Sequence, residues 1–228
     1  MEEEAGAGQE EQTKESGPLG RKLAVWGIGA VVLVLAVVVA FIAYKGHKKK
    51  QDETAIVSAI SESTLILREA LGEQSPADAA PRLNAHLQRI KAAERTPLAD
   101  AAEGYVLGAR AIARRRAEAA RLVAPAAAAR QALLAQLAAG GRRNDGWFKH
   151  VGELKKQVEN AHYELNAALK TLDNLIDGTH ESRTVLGPLV GEKLLVPASA
   201  LNAARERVQE ELKRSATELE RARQIPIG

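Results

Sequence analysis

Cysteine is absent from the 228 residues, and aromatic side chains make up only 3% of them. Without a thiol the chain has no disulfide, zinc–thiolate site, iron–sulfur cluster or cysteine nucleophile. Of the few aromatics, Trp26, Phe41 and Tyr44 lie in one apolar run near the N-terminus. The rest are too few to line an aromatic cage or a base-stacking platform. A dominant charge is also missing: 32 Lys and Arg stand against 29 Asp and Glu, a net charge of +3. That balance disfavours nucleic acid as a partner. No Gly-x-x-x-x-Gly-Lys-Ser/Thr loop, Gly-x-Ser-x-Gly elbow or fixed-period repeat occurs. The expectation is a non-catalytic chain with no cofactor and no metal site.

What is present first is a run from Leu23 to Tyr44, 22 residues without a charge. As a helix it would be roughly 33 Å long, against about 30 Å of bilayer hydrocarbon. Trp26 and Tyr44 stand near its ends, with Lys45, Lys48, Lys49 and Lys50 just beyond. These six are the expected membrane-interface residues. The run is too long for a cleaved signal peptide, whose apolar core is about 7–15 residues. Residues 21–45 are therefore expected to be a single transmembrane anchor, with the lipid bilayer as partner and the cell (inner) membrane as location. Lys14, Arg21 and Lys22 before the run and the four lysines after it tilt the C-terminal body slightly toward the cytoplasm rather than the periplasm. Residues 1–20, rich in Glu and Gly, are expected to be a disordered acidic tail, and residues 46–51 a basic juxtamembrane linker.

Residues 52–228 are rich in Ala, Leu, Glu, Arg and Gln, all good helix formers. The spacing predicts helices over about 52–71, 79–95, 97–139, 145–178 and 197–224. Ile56, Ala59, Ser63, Ile66 and Ala70 form a 3-4 stripe on the first. Breaks are expected at Gln74-Ser75-Pro76 and Gly140-Gly141. Thr96 and Pro97 read as an N-cap and first residue, and Pro125 predicts a kink or break. On the fourth helix Trp147, Val151, Leu154, Val158, Ala161, Leu165, Ala168, Leu172 and Leu175 make a heptad seam. Asp145 is its expected N-cap and Gly178 its stop. On the last helix Leu201, Val208, Leu212 and Leu219 give the apolar side, interrupted by Arg205 and Ser215. The fold class is thus all-α: one N-terminal transmembrane helix, then an antiparallel bundle of four or five helices with coiled-coil-like packing.

Residues 179–196 lack a helical period yet carry Val185, Leu186, Leu189, Val190, Leu194 and Leu195. They read as a non-helical apolar loop, either packed over the bundle or offered to a protein partner. Arg110, Arg114, Arg115 and Arg121 form a basic stretch that could contact a polyanion. Glu159-x-x-His162 has the spacing of di-iron bundles but no second copy. His162 therefore reads as a flank histidine, and Asp177, His180 and Glu181 as helix-end capping groups. No motif supports a small-molecule ligand. The resulting functional reading is a membrane-anchored scaffold or assembly subunit, binding a protein partner or a second copy. The alternative is a membrane-tethered ligand-sensing bundle acting through oligomerisation.

Overall fold

A computed structural model describes residues 18–72, 78–139 and 144–225, with side chains from residue 37 onward. The element order is α1 (Pro18–Leu71), α2 (Ala79–Ala92), α3 (Pro97–Ala138), α4 (Asp145–Val190), a 3-10 turn (Glu192–Leu194) and α5 (Ala198–Arg223). The chain divides into two compact units, Met1–Lys50 and Gln51–Gly228.

The membrane assignment is corrected. Among the described residues no helix is long and apolar enough to cross a membrane. α1 continues past Tyr44 through Lys45, His47, Lys48, Lys49 and Lys50 with no break at the end of the apolar run. The single-pass anchor falls, and with it the lipid-bilayer partner and the inner-membrane location; the expected interface residues Tyr44, Lys45, Lys48, Lys49 and Lys50 lie within α1. Trp26 was assigned on the same basis, and its side chain lies outside the described residues. Residues 46–51 are helix rather than linker. Most of the expected acidic tail, and the breaks at Gln74-Ser75-Pro76 and Gly140-Gly141, also lie outside the described residues.

The second unit is the all-α bundle. The stripe expected on α1 is buried at all five positions, Ser63 included. Its last carbonyls are capped from elsewhere: Arg207 donates to the Leu71 carbonyl at 2.7 Å and Arg116 to that of Gly72 at 2.7 Å. Two cations at a helix C-terminus suit its macrodipole. Thr96 caps α3, accepting from the Ala99 N–H at 3.1 Å, with Pro97 following as expected. Asn144, not Asp145, caps α4 by accepting from the Trp147 N–H at 2.9 Å.

The chain runs antiparallel between α4 and α5. Lys155 meets the Arg223 carbonyl, His162 meets Ser215, and Arg205 bridges Asp173 and Asp177. As the α4 number rises, the α5 number falls by a similar amount. Gly108 on α3 and Thr179 on α4 pack so closely that a Cβ on Gly108 would lie 2.6 Å from Thr179 Oγ1.

Pro125, expected to kink or break its helix, does not break α3, and Pro188 does not break α4. Pro125 and Pro188 both sit inside continuous helix. Each removes the partner of the carbonyl four residues earlier. Those residues, Arg121 and Thr184, are exposed, so water can donate to the freed carbonyls. Residues 179–190 are therefore the end of α4 and not a loop, and Gly178 is no stop. Asp177, His180 and Glu181 lie inside the helix rather than capping its end. The stop is Gly191, whose φ of 89° favours a residue without Cβ.

The remainder of that segment is pinned by buried polar groups. Thr64 Oγ1 donates to the Leu194 carbonyl at 2.9 Å. Tyr105 Oη lies 3.0 Å from the same Thr64 oxygen and accepts from the Val196 N–H at 3.1 Å. Arg183 Nε closes the set on the Val196 carbonyl at 2.9 Å. Leu186, Leu195 and Val196 are consequently buried. Val190 and Leu194 are half-buried, and only Val185 and Leu189 of the expected partner-binding set face solvent.

Candidate functional site

The bundle core is in two pieces. The larger includes Ala126, Leu165 and Leu169, and the smaller gathers Leu133, Val151, Leu154, Val158 and Ala222. The boundary falls at the level of Arg130 on α3, His162 on α4, and Ser215 and Glu218 on α5. A polar layer here follows from the sequence of α5, where Ser215 interrupts the apolar stripe between Val208 and Leu219.

His162 is 5% exposed, and its Nδ1 lies 2.8 Å from Ser215 Oγ. Its Nε2 is buried and has no hydrogen-bond partner among the described residues. Burial holds the imidazole below its ordinary pKa of 6.5, with Arg130 pushing the same way and Glu218 opposing. The neutral ring therefore dominates at neutral pH, one nitrogen a donor and the other an acceptor. Arg130 Nε sits 2.7 Å from Glu218 Oε2, and Arg221 is 3.2 Å from Glu218 Oε1. The first contact is ionic, with the N–H direction off the oxygen, so Glu218 faces two guanidinium groups.

Beside this layer lies a cleft of about 250 Å³ between α3, α4 and α5. Its walls are mainly apolar, from Val123, Ala126, Ala127, Leu165 and Leu169, while Arg214 and Glu211 complete the rim. Val123 is 47% exposed, which places the opening on the solvent side of α3. An apolar body with a few convergent polar groups is the usual make-up of a small-molecule site.

The Ser215–His162–Glu218 neighbourhood lacks the arrangement of a nucleophile triad. The serine occupies Nδ1, no carboxylate orients the ring through Nε2, and Ser215 sits mid-helix, where backbone N–H groups are already bonded and supply no oxyanion hole. Among the described residues no three His, Asp or Glu side chains gather to hold a metal ion. Glu159 is only partly exposed while its partner in the Glu-x-x-His pair is buried.

The basic stretch separates into different roles. Arg110, Arg114 and Arg115 line one open cleft with Leu107 and Thr171, and Arg115 pairs with Glu118 at 2.8 Å. Arg121 lies on a neighbouring cleft with Arg114. Arg116, from the same run, is spent on α1, and burial lowers its pKa.

The sequence alone places His162 on a helix flank and Ser215 as a break in an apolar stripe, and does not bring the two together. A signal for them existed. Val158, His162, Leu165, Leu169, Leu172, Ile176 and Thr179 make a second 4-3 stripe beside the expected seam, and all are buried. That double stripe is the mark of a helix packed against two neighbours rather than one. No family model, curated protein or solved structure matches the chain, so its site is read from its own geometry alone.

Proposed function

We propose that the bundle is a non-catalytic binding body for a small, mainly apolar molecule that enters the α3–α4–α5 cleft. The observation that carries this reading is His162 Nε2, buried without a protein partner beside an apolar cavity. An unsatisfied buried polar group costs about 1–3 kcal/mol, and a ligand group that satisfies it recovers part of that cost. The membrane-anchored scaffold and the membrane-tethered sensor are not retained, because both require the anchor. The size of the cleft limits the occupant. A dry cavity of about 150 Å³ accommodates benzene, so about 250 Å³ accommodates roughly ten non-hydrogen atoms.

The test is titration of the full chain with 1-octanol, followed by calorimetry and thermal melting. Binding should raise the melting temperature with the logarithm of ligand excess, adding about 2.7 kcal/mol of stability at a hundredfold excess over Kd. Ala127→Phe, which fills the cleft from its exposed wall, should abolish both signals without loss of helicity. Octanol binding that survives this substitution would place any site elsewhere.

A further inference from the structure

We propose that the molecule the cleft takes is a medium-chain monocarboxylate, its carboxylate at the Arg130–His162 end and its chain running toward Leu165 and Leu169. This rests on the cleft being a ligand site at all.

At that end Glu218 Oε2 is buried without a hydrogen bond but in ionic contact with Arg130, and the other groups with capacity to spare include donors. Arg130 uses Nε against Glu218 and keeps its terminal nitrogens. Arg214, on the rim, makes no ion pair among the described residues. If the Ser215 hydroxyl donates to His162 Nδ1, the ring presents Nε2–H as a further donor. Of the carboxylates nearby, Glu218 is compensated by Arg130 and Arg221, while Glu211 is exposed on the rim, where water screens its charge. An incoming group that accepts hydrogen bonds and carries negative charge matches what remains, and guanidinium with carboxylate is the strong form of that pairing. A cationic head would meet unspent guanidinium charge instead.

The walls set the rest of the molecule. Val123, Leu165 and Leu169 offer aliphatic surface with no further polar group among them, so the body should be a plain hydrocarbon chain. Octanoate has about the ten non-hydrogen atoms that the volume admits. Each methylene up to that length should tighten binding by about fourfold, and longer chains should gain little.

The test uses the full chain at neutral pH with sodium octanoate, 1-octanol and octylammonium chloride as probes. Octanoate should bind at least about tenfold tighter than either of the others. The double substitution Arg130→Gln/Glu218→Gln removes the pair and leaves only Arg221, which is exposed to solvent, without its carboxylate. It should weaken octanoate by about tenfold or more and leave 1-octanol within about threefold. Arg214→Gln, at an exposed and unpaired position, should weaken octanoate by about twofold or more with no change in melting temperature. It keeps the proposal testable if the double variant does not fold. Octylammonium or octanol binding as tightly as octanoate would overturn the carboxylate assignment while leaving the cleft a ligand site. Failure of all three probes would overturn the ligand site itself.

Discussion

Two buried polar clusters lie in the same bundle and differ in one respect. Around Tyr105, each group has a partner: Thr64 serves the Leu194 carbonyl, Tyr105 serves Thr64 and Val196, and Arg183 serves the Val196 carbonyl. Helix packing there is tight enough that Gly108 has no room for a Cβ. Around His162, one nitrogen is left over and a cavity of about 250 Å³ adjoins it. The first cluster closes the fold, holding the turn after α4 onto α1 and α3. The second leaves hydrogen-bonding capacity and space together, which is what a ligand needs and what a purely structural polar layer does not leave.

The largest effect should come from breaking the closed cluster. Tyr105→Phe strips the acceptor from the buried Val196 N–H and should cost about 2–3 kcal/mol in urea unfolding. The turn at residues 192–196 should also lose amide-exchange protection before the rest of the chain.

Overpacking sharpens the contrast next. Gly108→Ala should cost about 1–3 kcal/mol, and Thr179→Ala on top of it should restore most of that loss by removing the oxygen in the way. Ala127→Phe, a much larger addition beside the cavity, should change stability by less than Gly108→Ala. Equal penalties at the two places would show that the cleft is as tightly packed as the closed end.

The pH dependence is smaller. His162 and His86 are both held below the ordinary value of 6.5, each mainly by burial, so the unfolded chain binds more protons than the folded one in this range. Stability should be full above about pH 6.5 and fall as the pH drops through that value toward the folded pKa. The facing charges work in both directions, Glu218 against Arg130 for His162 and Glu62 against Arg82 and Arg89 for His86. Denaturation at pH 7.5 and 5.5 measures the drop, which should shrink in His162→Leu/Ser215→Ala.

That double variant also gives the smallest expected change. At pH 7.5 it should alter stability by less than about 1 kcal/mol, because both members of a buried hydrogen-bonded pair leave together.

Helix content was legible in the sequence because it depends on local composition and on period, and the Thr96-Pro97 start is a local signal too. The failures have specific causes. Gly178 reads as a stop and proline is a helix breaker by type, yet tertiary burial of Thr179 and Leu186 carries α4 past both Gly178 and Pro188. The apolar run before Lys45 obeys the length rule for a span, yet the helix described there does not qualify as one. His162 was hidden because a seam of Val158, Ala161 and Leu165 accounts for only one neighbour, and burial against a second helix is not written in the heptad. The site depends on the meeting of residues 130, 162 and 215, and no spacing along one helix encodes that.

The most direct test follows the two buried histidines together. In the full chain, imidazole ¹⁵N resonances of His162 and His86 should be recorded while octanoate is added. His162 lines the cleft and His86, between α1 and α2, does not. The account predicts that the His162 Nε2 resonance shifts and saturates with the calorimetric binding curve while that of His86 stays still. A His162 resonance that remains fixed at saturating octanoate, or one that moves only as much as His86, would contradict it.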